Sequence, residues 1–377
     1  MTMRVVAAPA SFKAALGAAD AARAIATGVR LAGHEAVEVP VADGGEGTLD
    51  ALVCVSGGRL VEVPCMDPLG RPVTAEFGLL PDGTAVVELA RASGYERLTN
   101  AERDPEATST FGTGQLIRAA LDAGATRVVV AAGGSATTDG GLGLVRALGA
   151  HVRDAAGSSL AGTGADLGRV RTIDLSGLDP RVHTVPIEVA CDVTSPLTGA
   201  TGAAQVFGPQ KGASPQAVLR LDAGLAHLAV VMMEMGAPDM ARAPRAGAAG
   251  GAAGGMAALL GASLTDGAAL VVRAAGLAQT LRGAHLCITG EGRLDAQTLA
   301  GKAPVAVAAA CATAGVPCVG LFGQVDLPPG LVPRAGLVAA LSIGRAVRPL
   351  PEALAATADD LAAAATSLVA LWATARG

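Results

Sequence analysis

The chain has few aromatic residues and no excess of positive charge. Aromatic residues make up only 2% of its 377 residues, and the formal net charge at pH 7 is −5. A protein that binds nucleic acid normally presents a basic surface and aromatic rings on which bases stack. The composition therefore argues against a nucleic-acid partner.

The cysteines also lack a pattern that would predict a disulfide framework or a zinc site. They form no C-x-x-C pair, and most of them lie within apolar runs. Closely spaced cysteine pairs are the usual sign of structural zinc, and disulfides are rare in reducing compartments. We expect free, mostly buried thiols in a cytoplasmic protein. The cysteines are Cys54, Cys65, Cys191, Cys287, Cys311 and Cys318.

Strongly apolar segments of membrane-spanning length are scarce, although 51% of the residues are hydrophobic. Residues 246–265 carry no charge, but they are mainly Gly and Ala, and glycine disfavours a stable helix. The apolar run at residues 5–10 is shorter than the core of a signal peptide, and Lys13 follows it closely. The sequence predicts a cytoplasmic protein with no membrane partner.

Three well-known catalytic or nucleotide-binding signatures are missing. The chain has no G-x-x-x-x-G-K-[ST] loop, no strict G-x-G-x-x-G at a strand-to-helix junction and no G-x-S-x-G elbow. The histidines are scattered without the spacing of metal ligands. These absences argue against a P-loop enzyme, a serine hydrolase and, less directly, a dinucleotide-dependent dehydrogenase.

Both ends of the chain alternate strand and helix patterns, whereas the middle contains short strands joined by turns. Alternation predicts a parallel sheet, and closely spaced short strands indicate an antiparallel or mixed sheet. The sequence predicts an α/β protein of two domains. A flavodoxin- or Rossmann-like parallel-sheet domain comprises residues 1–58 plus 284–377, and a mixed α/β domain of residues 59–283 is inserted into it. A single continuous Rossmann domain is the alternative.

A flavodoxin-like strand order would bring distant polar residues together. Ligands of such sheets bind beyond the carboxyl ends of the strands, where the first and third strands lie side by side. The loop after the first strand holds Ser11 and Lys13, and the loop after the third holds Glu291, Arg293 and Asp295. The two glycines of residues 290–292 predict a sharp turn there. We expect an active site in the cleft between the two domains.

Polar, glycine-rich loops follow several other predicted strands. Residues 43–48 (DGGEGT) open a helix, whose free N–H groups favour anions. Residues 133–141 (GGSATTDGG) combine backbone donors, hydroxyls and a carboxylate, a mixture that suits phosphate and Mg²⁺. Asp192 ends another strand, and Lys211 is an isolated cation. Carboxylates, lysines and glycine-rich backbone together favour phosphoryl transfer.

These segments resemble the bacterial glycerate kinases of type I, the family that includes glycerate 2-kinase, essentially from end to end. Two positions depart from the family pattern: Ala10 stands where Asp is usual, and Thr138 stands where Asn is common. The carboxylate usual in the first loop is therefore missing. The matching segments are residues 8–13 (APASFK), 41–48 (VADGGEGT), 110–114 (TFGTG), 133–141, 190–193 (ACDV), 206–212 (VFGPQKG) and 289–295 (TGEGRLD), followed by Gln297 and Thr298.

The resemblance implies ATP-dependent phosphorylation of D-glycerate at the 2-hydroxyl to give 2-phosphoglycerate, with ATP and Mg²⁺ as cofactors. Two alternatives come from other classes of protein: an NAD(P)-dependent dehydrogenase of a small hydroxy acid, and a non-catalytic binding protein for a small acid. The expected partners are D-glycerate and ATP, and a homodimer is left open.

The candidate site residues divide by the role that their chemistry suits within the implied reaction. Asp295 is the first candidate for the base that accepts the hydroxyl proton, Asp192 is the second, and Lys13 is a further catalytic residue. The substrate-binding candidates are Ser11, Lys13 and Arg293, and the metal-binding candidates are Glu291 and Asp192. The nucleotide-binding candidates are Asp43, Gly44, Gly45, Gly133, Gly134, Ser135, Thr137 and Lys211.

Overall fold

A computed structural model describes residues 2–296 and 298–376, so Gln297 of the motif above lies outside the described residues. The chain divides into two compact units. Relative to the predicted domains, residues 44–49, 58 and 268–283 change sides. Unit 1 comprises Met1–Asp43, Asp50–Gly57 and Ala268–Gly377, and unit 2 comprises Gly44–Leu49 and Gly58–Gly267.

Strands and helices are numbered along the described chain. The strands are β1 (Arg4–Ala7), β2 (Glu35–Glu38), β3 (Arg59–Met66), β4 (Pro72–Leu79), β5 (Thr84–Glu88), β6 (Arg127–Ala131), β7 (His151–Arg153), β8 (Thr172–Asp174), β9 (Ile187–Cys191), β10 (Ser263–Asp266), β11 (Leu286–Leu294), β12 (Cys318–Val325) and β13 (Ala339–Ser342). The α-helices are α1 (Ala18–Leu31), α2 (Thr48–Ser56), α3 (Ala90–Ser93), α4 (Phe111–Asp122), α5 (Leu142–Ala147), α6 (Ala203–Phe207), α7 (Pro215–Glu234), α8 (Ala252–Leu260), α9 (Gly267–Ala274), α10 (Leu277–Thr280), α11 (Ala303–Ala314), α12 (Leu350–Ala355) and α13 (Thr357–Arg376).

Unit 1 is built on a five-stranded sheet in the order β13-β12-β11-β1-β2, with every neighbouring pair parallel. Numbered within the unit, this is the flavodoxin order 2-1-3-4-5, so the predicted fold class is confirmed. Val5 and Ile288 of the central strands pack against Ile25 of α1 and Leu361 of α13. The switch point between the first and third strands therefore lies between β1 and β11.

Unit 2 contains a six-stranded mixed sheet in the order β10-β9-β6-β5-β4-β3. The strands from β10 to β5 run parallel, and β4 and β3 are antiparallel, as the short strands and turns predict. Because the carboxyl ends of parallel strands meet at one edge, the residues that follow β5, β6, β9 and β10 lie along that edge. Glu88, the loop at 133–141, Asp192 and Gly267 occupy it.

The helix α7 is apolar and long enough to span a membrane by length and composition, but half of its apolar window is buried within the fold. Ser214 caps its first turn by accepting a hydrogen bond from the Ala217 N–H, and Pro215 occupies the first helical position. Its inward side chains repeat every three or four residues, as in a helix that packs one face on a core. Burial accounts for the apolar character of α7.

Candidate active site

The strand β11 is longer than the sequence predicts. It continues to Leu294, so the turn predicted at residues 290–292 is wrong. Gly290 pairs with Leu321 of β12, and a Cβ added to Gly290 would lie 1.8 Å from the Leu321 carbonyl oxygen. Neither Gly290 nor Gly292 has a positive φ. Glycine is required at position 290 because the neighbouring strand approaches too closely for a side chain.

The segment that follows β1 lies beside the last residues of β11. The Ala10 N–H donates to the Gly290 carbonyl oxygen at 2.8 Å, which continues the pairing of β1 with β11 beyond the strand. A Cβ on Gly292 would lie 3.6 Å from the Lys13 backbone nitrogen. Ser11 is half-buried and the Lys13 side chain is exposed. Ala10, the position where Asp is usual in the family, is buried.

Three carboxylates of unit 1 interact beside a lysine. Burial raises the pKa of Glu291, and Asp43 and Asp295 act in the same direction, whereas a hydrogen bond and Lys302 lower it. The Thr298 hydroxyl donates to Glu291 Oε1 at 2.8 Å, and the Thr298 N–H donates to Asp295 Oδ1 at 3.2 Å. Asp43, expected at the nucleotide, thus belongs to this acidic group. Carboxylate oxygens gathered in this way are the ligands that Mg²⁺ prefers.

Arg293 has a partner that the sequence did not suggest. Its Nε donates to Asp326 Oδ2 at 2.5 Å, and Asp295 Oδ2 lies 3.9 Å from the same nitrogen. Asp326 follows β12 directly, so its position at the carboxyl edge of the neighbouring strand was the available signal. The Arg293 side chain is 60% exposed, and an ion pair at such a site contributes only about 0–1 kcal/mol. A carboxylate ligand can therefore displace Asp326 at little cost.

In unit 2, two of the predicted nucleotide loops are in backbone contact. A Cβ on Gly133 would lie 2.4 Å from Gly45 Cα, and one on Gly44 would lie 2.7 Å from Gly267 Cα. Gly44 and Gly134 also have positive φ values of 91° and 72°. Close packing of backbone on backbone therefore requires glycine at positions 44 and 133. The structure thus brings together Gly44, Gly45, Gly133 and Gly134.

Glu88, which the sequence reasoning missed, holds the first of these loops. Its side chain is buried at the end of β5 and accepts hydrogen bonds from the N–H groups of Gly47 at 3.1 Å and Leu49 at 3.2 Å. The expectation that the N–H groups at the start of α2 are free for an anion is therefore wrong for these two. The sequence did contain a signal for Glu88, because it is a carboxylate at the end of an apolar strand.

Replacing Glu88 by Ala should lower the free energy of unfolding by roughly 2–4 kcal/mol, because one buried and one half-buried N–H donor lose their acceptor. Glu88→Gln keeps a carbonyl oxygen for them and should be less destabilising. Urea denaturation of the two variants measures the difference. Glu46→Ala is the matched control, since this exposed side chain lies in the same loop and should change stability little. An alanine variant as stable as wild type would show that Glu88 does not hold the loop.

Asp139 directs its carboxylate into the protein. It is fully buried, and it accepts hydrogen bonds from Thr110 N–H and hydroxyl, both at 2.7 Å, and from the N–H groups of Gly141 and Gly143 at 3.1 and 3.2 Å. Burial raises its pKa, and these hydrogen bonds act in the opposite direction. The expectation that the carboxylate of this loop binds Mg²⁺ is therefore not supported by its position. Asp139 instead fixes the loop to the starts of α4 and α5.

Lys211 supports the same loop from inside the fold. It is only 3% exposed, and its Nζ donates to Ser135 Oγ at 2.8 Å and to the Thr137 carbonyl oxygen at 2.6 Å. Burial lowers the pKa of Lys211 to about 7, although Asp139 acts to raise it. The structure brings together Lys211, Ser135 and Thr137, three of the nucleotide-binding candidates, but the lysine is enclosed rather than presented to solvent.

Two hydroxyls of this loop are buried without a partner among the described residues. They are Thr137 Oγ1 and Thr138 Oγ1. Behind them a Cβ on Gly250 would lie 2.0 Å from the Thr137 carbonyl oxygen, and the Gly140 N–H donates to the Gly250 carbonyl oxygen at 3.2 Å. The glycine ribbon at 246–255 therefore packs directly against the loop. The unpaired hydroxyls remain available to a ligand or water.

The buried lysine should make stability depend on pH. The unfolded chain keeps the Lys211 proton up to the ordinary value of 10.5, whereas the folded protein releases it above about 7. Between these values the unfolded state binds more protons, so the free energy of unfolding should rise with pH by up to about 1.4 kcal/mol per pH unit. Lys211→Met should remove this slope in urea denaturation across the window. Lys13→Met, at an exposed lysine, should retain it; equal slopes in both variants would contradict the assignment.

Asp192 lies at the carboxyl edge of the second sheet. It is exposed, directly after β9, and it helps to raise the pKa of Cys191 to about 12, although burial is the larger cause. Asp266 ends the neighbouring strand β10 and lies 3.3 Å from Arg245. Asp192 belongs to unit 2 and Glu291 to unit 1, so the two predicted metal ligands come from different units. The sequence did not indicate that Asp266 lies beside the end of β9.

Comparisons with known proteins agree on one family. Residues 5–373 match the Glycerate kinase family. The chain is 42% identical to "Glycerate 2-kinase" of Escherichia coli K12 over 98% of this chain and 97% of the relative, and 42% identical to "Glycerate kinase" of Bacillus subtilis 168 over the same shares. A crystal structure of a proposed glycerate kinase 2 from Salmonella typhimurium LT2 superposes with a TM-score of 0.90 at 41% identity, covering 100% of both chains.

Proposed function

The chain belongs to the glycerate kinase family, and we propose that it transfers the γ-phosphoryl group of ATP to the 2-hydroxyl of D-glycerate, giving 2-phosphoglycerate. The observation that carries the chemistry is the group of carboxylates around Thr298 at the switch point of the parallel sheet. Phosphoryl transfer needs positioned charges more than covalent chemistry, and this group supplies them.

In this proposal the residues of unit 1 handle the acceptor. Asp295 is half-buried, and Thr298 orients its carboxylate, so that one oxygen can accept the hydroxyl proton as the bond to phosphorus forms. Lys13 and Arg293, both exposed, can neutralise the substrate carboxylate, Arg293 after exchanging Asp326 for it. Ser11 supplies a hydroxyl beside them. Substrate binding and proton removal then come from adjacent strand ends.

The loops of unit 2 are proposed to bind the nucleotide. Glycine-rich backbone that follows a strand can direct N–H groups at phosphate oxygens, and the hydroxyl of Thr137 has no partner among the described residues. Glu88, Asp139 and Lys211 act as positioning residues, because each holds backbone of these loops from within the core. Preformed loops of this kind lose little entropy when they bind a phosphate group.

The carboxylate oxygens of this protein are suitable ligands for Mg²⁺. Glu291 offers a half-buried carboxylate with a raised pKa beside Asp295, and a bound cation would favour its ionised form. Glu291 is the candidate ligand in unit 1 and Asp192 the candidate ligand in unit 2, and the ion would neutralise charge on the phosphate oxygens. In the proposed reaction a carboxylate of the chain, and not the ion, accepts the proton. We also propose that the protein works in the cytoplasm.

Release of ADP, measured with D-glycerate and a panel of other hydroxy acids, tests the proposal. We expect ADP release to depend on D-glycerate and on Mg²⁺, and ³¹P NMR of the product to show 2-phosphoglycerate. A 3-phosphoglycerate product would overturn the proposed position of transfer. Reduction of NAD(P) by a hydroxy acid, without ADP release, would favour the dehydrogenase alternative.

A further inference from the structure

Three cysteines of unit 1 converge at a place that the proposed reaction does not use. Cys287 lies on β11, Cys318 is its register partner on β12, and Cys311 lies on α11, which packs against both strands. Their sulfur atoms all lie within 4.8 Å of one another. All three side chains are buried, with at most 2% of the residue exposed. We call these three residues the thiol cluster.

Among the described residues, no positively charged group influences the ionisation of the thiol cluster. Hydrogen bonds with Cys311 and Cys318, together with burial, hold the pKa of Cys287 well above its usual range. Burial opposes ionisation of all three thiols, and the other influences from the described residues come from the cysteines themselves, whose hydrogen bonds raise the pKa of Cys287 and lower that of Cys311. A net charge left in such a place would be strongly unfavourable, because no positive group among the described residues offsets its loss of hydration.

Ligand softness and charge together select what the thiol cluster can bind. Sulfur ligands favour soft ions over the hard Mg²⁺ of the proposed reaction. Three thiolates around a divalent ion would leave one negative charge buried, and around a monovalent ion they would leave two. Three thiolates around a trivalent ion leave none. The neutral complex is the one that an apolar interior accepts.

We propose that the thiol cluster is a binding site for a trivalent thiophilic ion of the arsenite class. With arsenious acid, As(OH)₃, three S–H bonds and three As–O bonds break, three As–S bonds form, and each leaving hydroxide takes one thiol proton to become water. Arsenic remains trivalent, so no oxidant or reductant is needed. The bound ion links β11, α11 and β12.

The test uses the full chain with arsenite as the probe, by native incubation and, separately, by refolding from urea in its presence. Intact mass should increase by one arsenic atom less three hydrogens, and three of the six thiols should become unreactive to an alkylating reagent. The thermal midpoint should rise, because the adduct joins three elements of the folded state. Cys54→Ser, at an exposed cysteine outside the cluster, should behave as wild type.

Cys311→Ser should weaken arsenite binding by at least about tenfold, since it removes one of three ligands. Cys318→Ala serves the same purpose if the first variant does not fold. Failure to form the adduct by either loading route overturns the proposal, as does unchanged affinity in the ligand variants. Cd²⁺ is the divalent comparison, and binding of Cd²⁺ as tight as that of arsenite would overturn the selection by charge.

Discussion

Replacing Asp295 by Asn should lower kcat by about 10²- to 10⁴-fold, the usual contribution of general acid–base catalysis. The amide preserves the shape of the side chain, and its oxygen can still accept the Thr298 N–H bond, which is 3.2 Å long. It cannot accept the proton of the substrate hydroxyl. The KM for ATP should change little. Steady-state measurement of ADP release as a function of both substrates gives the two constants.

Asp192→Asn is the comparison that separates a base from a metal ligand. If Asp192 helps to hold Mg²⁺, this variant should need more Mg²⁺ for the same rate, whereas Asp295→Asn should stay slow at every Mg²⁺ concentration. Rescue of Asp295→Asn by excess Mg²⁺, with Asp192→Asn inactive throughout, would exchange the two roles. Near-normal turnover in both variants would exclude this pair of carboxylates as the source of the base.

Asp139→Ala should lower the free energy of unfolding by about 3–6 kcal/mol, because four buried donors lose their acceptor at once. These donors belong to Thr110, Gly141 and Gly143, so the loss loosens the loop at 133–141 together with the starts of α4 and α5. Asp139→Asn should destabilise the protein less than Asp139→Ala, since its one amide oxygen can still accept some of these hydrogen bonds. Guanidinium denaturation of both variants gives their free energies of unfolding and tests this ranking.

The control for this prediction is Asp82→Ala. The Asp82 side chain also accepts a backbone hydrogen bond, from Thr84 at 2.9 Å, but it lies in an exposed turn. Water replaces that bond on mutation, so the change in stability should stay below about 1 kcal/mol. If the two alanine variants lose similar amounts, burial of Asp139 does not decide its contribution.

Local pattern was enough to predict the class of fold and the places where polar loops lie. Apolar runs such as residues 4–9 and 284–289 become parallel strands because burial on both faces favours continuous hydrophobic residues. The flavodoxin order then brought the backbone of Lys13 beside Gly292, as expected from the switch-point rule. The predicted end of β11 was wrong. Glycine is compatible with a sharp turn and also with a close pair of strands, so Gly290 in the sequence does not distinguish the two.

The direction of each polar side chain was decided only by packing. Lys211 donates to Ser135, which is 76 residues away, and the sequence around either residue does not distinguish a buried support from a phosphate ligand. The same holds for Glu88, whose acceptor role depends on where the loop at 44–49 returns to β5.

Sequence by itself thus determined the α/β class, the mixed and parallel sheets and, through several long motifs in the right order, the family. Tertiary structure alone decided which acids face inward, that Arg293 pairs with Asp326, and that Cys287, Cys311 and Cys318 meet. Hydrophobic periodicity and turn residues act over a few neighbours and can be read from the chain locally. Contacts between distant segments depend on how whole strands and helices pack, which no local pattern encodes.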